Sequence, residues 1–396
     1  MKKQSNAPQI RFQNFEDEWV KQSLGKTVEI IMGQSPDSKN YTDNPNDYIL
    51  VQGNADMQNG RVIPRVWTTQ VTKLAEKGDL ILSVRAPVGD IGKTDYNVVL
   101  GRGVAAIKGN EFLFQLLTKM KQSHYWSKFS TGSTFESINS NDIKSAEIYL
   151  PSIEEQSAIG SLFRTLDDLL SSYKNNLANY QSLKATMLSK MFPKAGHTVP
   201  EIRLDGFEGD WELLEINDLA DDFQSGGTPK TNVQEYWNGN IPWIQSSDLE
   251  TNCLFETKVQ KSISEKGLKN SSAKIIPKDS IAVVTRVGVG KLAVMRHEYA
   301  TSQDFLSFSN LKSNIEFTAY LLYRLLQKEV TQLQGTSIKG ITKVELLSKK
   351  VLIPSLPEQQ AIGAYFSNLD NLIVAHQEKI SQLETLKKKL LQDMFI

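Results

Sequence analysis

The sequence predicts an α+β chain. Two mixed α/β domains are joined by two long helices that pair as an antiparallel coiled coil, and the whole is an internal repeat about a pseudo-twofold axis. Three observations carry this. "LPSIEEQSAIGSLFRTLDDLL", from Leu150, returns at Ile353 as "IPSLPEQQAIGAYFSNLDNLI", and the correspondence runs without a gap to Ile396. "PQIRFQNFEDEW" at Pro8–Trp19 returns as "PEIRLDGFEGDW" at Pro200–Trp211. Behind Pro151 and Pro354 apolar residues recur three or four apart for about five heptads, the spacing of a helix that buries one stripe. The expected boundaries are 1–150 for the first domain, 151–195 for the first helix, 196–352 for the second domain and 353–396 for the second helix.

In the first domain, strand-like runs cover Asp47–Val51, Leu80–Arg85 and Val104–Ile107, and a helix is expected from about Phe112 to Phe129. Polar loops such as "MGQSPDSKNYTDNPND" separate them, with the composition of turns. A short apolar strand closes at Pro151, and Glu154-Glu155 suits the positive end of a helix. The first seam is Ile159, Leu162, Leu166, Leu169, Tyr173, Leu177, Tyr180, Leu183 and Met187. In the second domain the strands are Ile281–Arg286, Leu292–Arg296 and Phe305–Ser309, with a helix from about Phe317 to Thr331. The second seam is Ile362, Phe366, Leu369, Ile373, His376, Ile380, Leu383, Leu386 and Leu390. A long helix with one apolar stripe needs a partner, and the duplicated copy supplies it, placing one domain at each end. Weaker matches set "LILSVRAPVGDIG" against "IAVVTRVGVGKLA" and "TGSTFESI" against "QGTSIKGI", so that Arg85 lies opposite Arg286.

Composition excludes several classes. At 396 residues the chain can bury two ordinary cores. Formal net charge is zero, so no global field draws it to a polyanion. Neither domain is basic: Lys+Arg against Asp+Glu is 15 to 13 over residues 20–149 and 17 to 16 over 212–352. Cys253 is the only cysteine, which rules out an intrachain disulfide and a thiolate metal cluster. No apolar run approaches a membrane span and the first residues do not read as a signal peptide, so a cytoplasmic protein is expected. "GVGKLA" at Gly288–Ala293 is followed by a strand pattern where a dinucleotide site needs a helix. "GDIGKT" carries Pro87 where a phosphate loop needs its first glycine. "NPNDY" at Asn44–Tyr48 lacks the second proline of an adenine-methyltransferase motif and reads as a turn. His124, His197, His297 and His376 have no ligand spacing, and no nucleophile–base set is present. No catalytic, metal or cofactor site is expected in this chain.

Two similar but non-identical domains on a double-helix spacer make a ruler that reads two things a fixed distance apart. "PEIRLDGFEGDWE", the loop "SGGTPKTNVQEYWNGNIPWI" and the twice-used Pro–Gln–Gly helix start resemble the specificity subunits of type I restriction–modification systems, over essentially the whole chain. The resemblance implies a non-catalytic DNA-binding subunit whose two target-recognition domains each read half of an interrupted site in double-stranded DNA. It implies that the helices dock two methyltransferase subunits, through which restriction subunits join. Adenine-N6 methylation would use S-adenosylmethionine held by a partner, with ATP and Mg also on partner subunits. The first domain departs from the pattern, having "IMGQSPDSKNY" in place of "SGGTPKTNVQEYW". The alternative is a two-headed protein-binding scaffold.

Candidate DNA contacts follow from loop position. Arg85 and Arg286 stand at strand ends before glycine-bearing loops, where a guanidinium reaches guanine O6 and N7. Gln34, Ser35, Arg102 and Gln303 lie on neighbouring polar loops. Ser133, Thr134, Thr336, Ser337 and Lys339 lie on equivalent glycine loops. At Gly226, Gly227 and Thr228 bare backbone can approach a phosphate. Each has a plain structural reading beside the functional one, as an ion pair, a cap or a turn.

Overall fold

The computed structural model describes residues 6–129, 137–255, 257–332 and 340–396. The chain divides into two compact units, Met1–Lys174 with Glu378–Ile396, and Asn175–Gln377. Each unit therefore holds one stretch of each long helix.

In unit 1 the strands Ile30–Met32, Val104–Ile107, Leu80–Ser83 and Ile91–Lys93 lie side by side in that order, all antiparallel. Leu80, Ile81 and Leu82 are fully buried on both faces, which is why this strand reads as a continuous apolar run. A second sheet pairs Tyr48–Val51 in parallel with Val98–Leu100. Helix Glu111–Gln122 packs Phe112, Leu116 and Leu117 into the core. It stops seven residues before the expected Phe129, because His124 adopts a left-handed φ of 55° and the chain continues as a 3₁₀ turn over Tyr125–Phe129.

Unit 2 repeats the plan. Ala220–Ser225, Phe305–Leu311, Ser280–Val284 and Leu292–Met295 form the antiparallel sheet, and Trp237–Ile244 pairs in parallel with Ala300–Thr301. Helix Ile315–Gln332 covers it. The expected strands ending at Arg85 and Arg286 stop two residues early, at Ser83 and Val284, leaving both arginines in the turns that follow.

The long helices are Ile153–Lys190 and Leu356–Asp393, each of 38 residues and so about 57 Å long. They run antiparallel, since partner numbers fall on one as they rise on the other. In unit 1 Phe163 meets Phe395, Asp167 meets Lys387 and Lys174 meets Glu384. In unit 2 Tyr180 meets His376, Lys184 meets Asp370 and Phe192 meets Phe366.

Four expected seam residues are corrected, the first being Leu162, which is half-buried beside the seam residue Phe163. Leu169, Leu183 and Leu386 face solvent. The seam instead follows an alternating four–three step through Ile159, Phe163, Leu166, Leu170, Tyr173, Leu177, Tyr180, Lys184, Met187 and Met191. Its second copy keeps that step through Ile362, Phe366, Leu369, Ile373, His376, Ile380, Leu383, Lys387, Leu390 and Met394. A lysine holds the seam position where Leu183 and Leu386 were expected, because an aspartate on the opposite helix receives it. Lys184 pairs with Asp370, which also accepts from the Tyr320 hydroxyl at 2.7 Å. Burial, followed by the Asp370 charge, pushes the Tyr320 phenol well above its usual range. Lys387 pairs with Asp167 at 2.5 Å, and Asp167 also accepts from Gln115 at 2.9 Å. It is the same contact with the helices exchanging roles.

The duplicated Pro–Gln–Gly start has a packing explanation. Gln156 Nε2 donates to the Pro151 carbonyl at 3.1 Å while its Oε1 accepts from Asn110 at 2.8 Å. Asn110 in turn caps the domain helix through the Leu113 N–H. In unit 2, Gln359 bonds the Pro354 carbonyl and the Asn314 N–H, and Asn314 caps at Phe317. Gly160 and Gly363 sit where a Cβ would meet the domain helix at 2.9 Å and 2.6 Å. The N-terminal "PxIR" segments are held by Arg11–Glu155 and Arg203–Glu358, two-pronged pairs with contacts of 2.7 to 2.8 Å whose carboxylates are almost fully buried.

Candidate functional site

Main-chain hydrogen bonds identify which loop residues of the two units are equivalent, independently of side-chain identity. Val84 N–H donates to the Gly103 carbonyl at 2.9 Å, and Thr285 N–H to the Asp304 carbonyl at 2.7 Å. Ile138 N–H donates to Val84, and Ile341 N–H to Thr285. Arg85 therefore corresponds to Arg286, and Arg102 to Gln303. Gly101 N–H donates to Val51 as Ser302 N–H does to Ile244, so Gln52 corresponds to Gln245. Gln34 N–H donates to Leu100 as Gly227 N–H does to Thr301. The loop "GQSP" at 33–36 is thus the same loop as "GGTP" at 226–229, although the sequences had read as a departure.

The leading glycine of each is required by close approach. A Cβ on Gly33 would lie 2.1 Å from the Gly101 carbonyl oxygen, and one on Gly226 would lie 2.0 Å from Thr301 Oγ1 and 2.3 Å from the Thr301 carbonyl oxygen. The prolines that follow, Pro36 and Pro229, are buried, leaving Ser35 and Thr228 at the rim. Ser35 Oγ accepts from the Arg102 N–H at 3.1 Å, and Thr228 Oγ1 donates to Gln303 Oε1.

In unit 1 these loops line a cavity of about 330 Å³ whose lining includes Ser35, Tyr41, Gln52, Asn54, Arg85 and Arg102 and, among the described residues, no carboxylate. Gln52 lies at a tight turn in which Asp56 Oδ2 accepts from the Gln52 and Gly53 N–H groups at 2.7 Å and 3.3 Å. Asp248 holds Gln245 in the same way at 3.1 Å. In unit 2 Lys261 Nζ donates to Gln245 Oε1 at 3.3 Å, and Lys291 ties the loop through the Ser246 and Leu249 carbonyls.

Of the ten arginines in the sequence, seven have an ionic, hydrogen-bond or ring partner, among them Arg61 with Asp95, Arg296 with Asp279 and Arg324 over Phe192. Arg85, Arg102 and Arg286 have no side-chain hydrogen bond or ion pair among the described residues, and all three are exposed. A guanidinium left in water without a carboxylate is presented for an electronegative ligand. Structure thus brings Ser35, Arg85 and Arg102 to one cavity, with Gln34 on the same loop. It sets Gly226, Gly227, Thr228, Arg286 and Gln303 in the equivalent places of unit 2. Ser133, Thr134, Thr336, Ser337 and Lys339 lie outside the described residues. Sequence reading missed Gln52 and Gln245. The signal was a glutamine after the strand with an aspartate shortly behind it in "LVQGNAD" and "WIQSSD", at spacings of four and three residues, which was too short and too irregular to stand out. Among the described residues no cluster of His, Cys, Asp and Glu could hold a metal ion, and no helix is long and apolar enough to cross a membrane.

Comparison with known proteins places the chain in a family. Over 162 residues the chain is 35% identical to the putative type I restriction enzyme MjaX specificity subunit of Methanocaldococcus jannaschii, covering 39% of this chain and 38% of that one. Over 194 residues it is 29% identical to the MjaIX specificity subunit of the same organism, covering 47% and 44%. The matched stretches thus span less than half of either relative. In fold, it is similar to the crystal structure of a type I restriction–modification system S subunit from M. genitalium. The TM-score is 0.67 at 16% identity, over 98% of this chain and 99% of that one. Residues 16–180 and 208–385 match the family described as type I restriction modification DNA specificity domain, one match in each half, and the chain belongs to that family.

Proposed function

We propose that this chain is the non-catalytic, DNA-reading subunit of a type I restriction–modification enzyme, with residues 1–150 and 196–352 each reading one half of an interrupted target in double-stranded DNA. The observation that carries this is the set of exposed arginines at equivalent turns, without a side-chain partner among the described residues, Arg85 with Arg102 in one unit and Arg286 in the other. A guanidinium in a polar cavity suits the paired acceptors of a guanine edge. Near-neutral domains supply few phosphate contacts, so the sequence-independent part of binding falls to partner subunits.

Residues 151–195 and 353–396 are then the spacer and the docking surface for two methyltransferase subunits, which bring in the restriction subunits. Ile153 and Leu356, apolar and exposed at the equivalent first turns of the two helices, suit such contacts. Adenine-N6 methylation, S-adenosylmethionine, ATP and Mg belong to those partners, and the assembly works in the cytoplasm. Co-expression with a methyltransferase subunit followed by methylome sequencing tests the reading. A two-part methylated motif that depends on this chain is expected. No motif, with the chain bound instead to other proteins, would favour a two-headed scaffold.

A further inference from the structure

We infer that positions 102 and 303 are one selector used twice, with Arg102 choosing guanine in the half-site read by unit 1 and Gln303 choosing adenine in the half-site read by unit 2. The inference rests on the DNA-reading function proposed above.

The backbone makes the two positions equivalent. Each precedes a residue whose carbonyl accepts from the N–H just before the shared arginine, Gly103 from Val84 and Asp304 from Thr285. Each is tethered to the equivalent hydroxyl, Arg102 through its N–H to Ser35 and Gln303 through its amide oxygen to Thr228. Three neighbouring positions keep their chemistry, while Gly103 is replaced by Asp304 and Gln34 by Gly227. Position 35 or 228 is a hydroxyl, 52 or 245 is glutamine, and 85 or 286 is arginine. Of these four positions only 102/303 changes chemical class, from a fork of donors to an amide with one donor and one acceptor side.

That change has a defined meaning at a base edge. Guanine offers two acceptors in the major groove, O6 and N7, which match two guanidinium N–H groups. Adenine offers an N6 donor beside the N7 acceptor, which match the oxygen and nitrogen of one amide. Arg102 is exposed, and its side chain has no ion pair among the described residues. Because the Thr228 hydroxyl donates to Oε1, the Gln303 amide is fixed, with Nε2 and the second lone pair of Oε1 left for the base.

The test uses the chain assembled with its methyltransferase subunit and compares methylated motifs of the parent, Arg102→Gln and Gln303→Arg. In Arg102→Gln one position of one half-site is expected to change from guanine to adenine, with a preference of about 5- to 150-fold. In Gln303→Arg one position of the other half-site changes from adenine to guanine. Both side chains are exposed, and the variants lie in different units, so each is an independent trial. Arg102→Ala adds a third, in which the guanine requirement relaxes to any base. An unmoved motif, a change in both halves, or equal weakening on all sequences (the behaviour of a phosphate contact) would overturn the inference while leaving the proposed function standing. A parent chain with no two-part motif would overturn both.

Discussion

Met191-Phe192 and Met394-Phe395 are copies of each other, yet each phenylalanine is buried in the unit built on the other helix's domain. Phe395 packs with ring centroids 5.0 Å from Phe112, 5.6 Å from Phe163 and 6.4 Å from Trp19, all in unit 1. Phe192 packs 5.5 Å from Phe317, 5.9 Å from Trp211 and 6.2 Å from Phe366, all in unit 2. Phe395→Ala removes a ring that is 3% exposed from the centre of that cluster. A buried Phe→Ala change costs about 3–5 kcal/mol, so about 4 kcal/mol is expected. For a body the size of unit 1 that is about 8–16 °C in Tm, and about a thousandfold faster exchange of globally protected amides. The assay is hydrogen exchange read separately at Val104–Ile107 in unit 1 and Ser280–Val284 in unit 2. Acceleration is expected in the first, and Phe192→Ala should reverse the pattern. A cost below about 1 kcal/mol, or acceleration confined to unit 2, would refute the exchange of helix ends between cores.

The seam lysines should rank by burial. Side chains of Lys184 and Asp370 are 11% and 15% exposed, those of Lys387 and Asp167 19% and 32%. Lys184→Met should therefore cost about 2–4 kcal/mol and Lys387→Met about 1–2 kcal/mol by chemical denaturation, with solvent screening reducing the second. Equal costs would count against the pairs as seam contacts. Gly33→Ala and Gly226→Ala each force a Cβ against carbonyl oxygens, at 2.1 Å and 2.3 Å. Each should lower stability by about 3 kcal/mol, whereas Gly206→Ala, where a Cβ meets nothing within 4 Å but φ is +88°, should cost only the smaller left-handed penalty.

What the sequence disclosed follows from which atoms do the work. The helix starts were legible because Gln156, Gly160 and Phe163 act through their side chains, or the lack of one, and the second copy repeats those identities. The seam was read one residue off at Leu162 and Leu169, where adjacent apolar residues compete for the stripe, and at Leu183 and Leu386, since a lysine in an apolar stripe becomes sensible only once Asp370 or Asp167 is seen opposite. Exchange of Phe192 and Phe395 could not be read, because identical dipeptides carry no record of which core they enter. The loop equivalence was hidden for the opposite reason. "GQSP" and "GGTP" are held in place by main-chain bonds to Leu100 and Thr301, which leave no trace in side-chain identity. Arg85 and Arg286 were found by position alone, and their lack of partners among the described residues emerged only when the other seven arginines were accounted for.

Exchanging the recognition region while keeping the helices tests the central claim most directly. Residues 20–149 would be replaced by the corresponding region of another member of the family, and the methylated motif read from cells carrying the hybrid with its methyltransferase partner. Two independent readers on a common spacer predict that one half of the motif changes while the other half and the gap stay as in the parent. A hybrid in which both halves change, or in which the parental motif persists unaltered, would contradict the account.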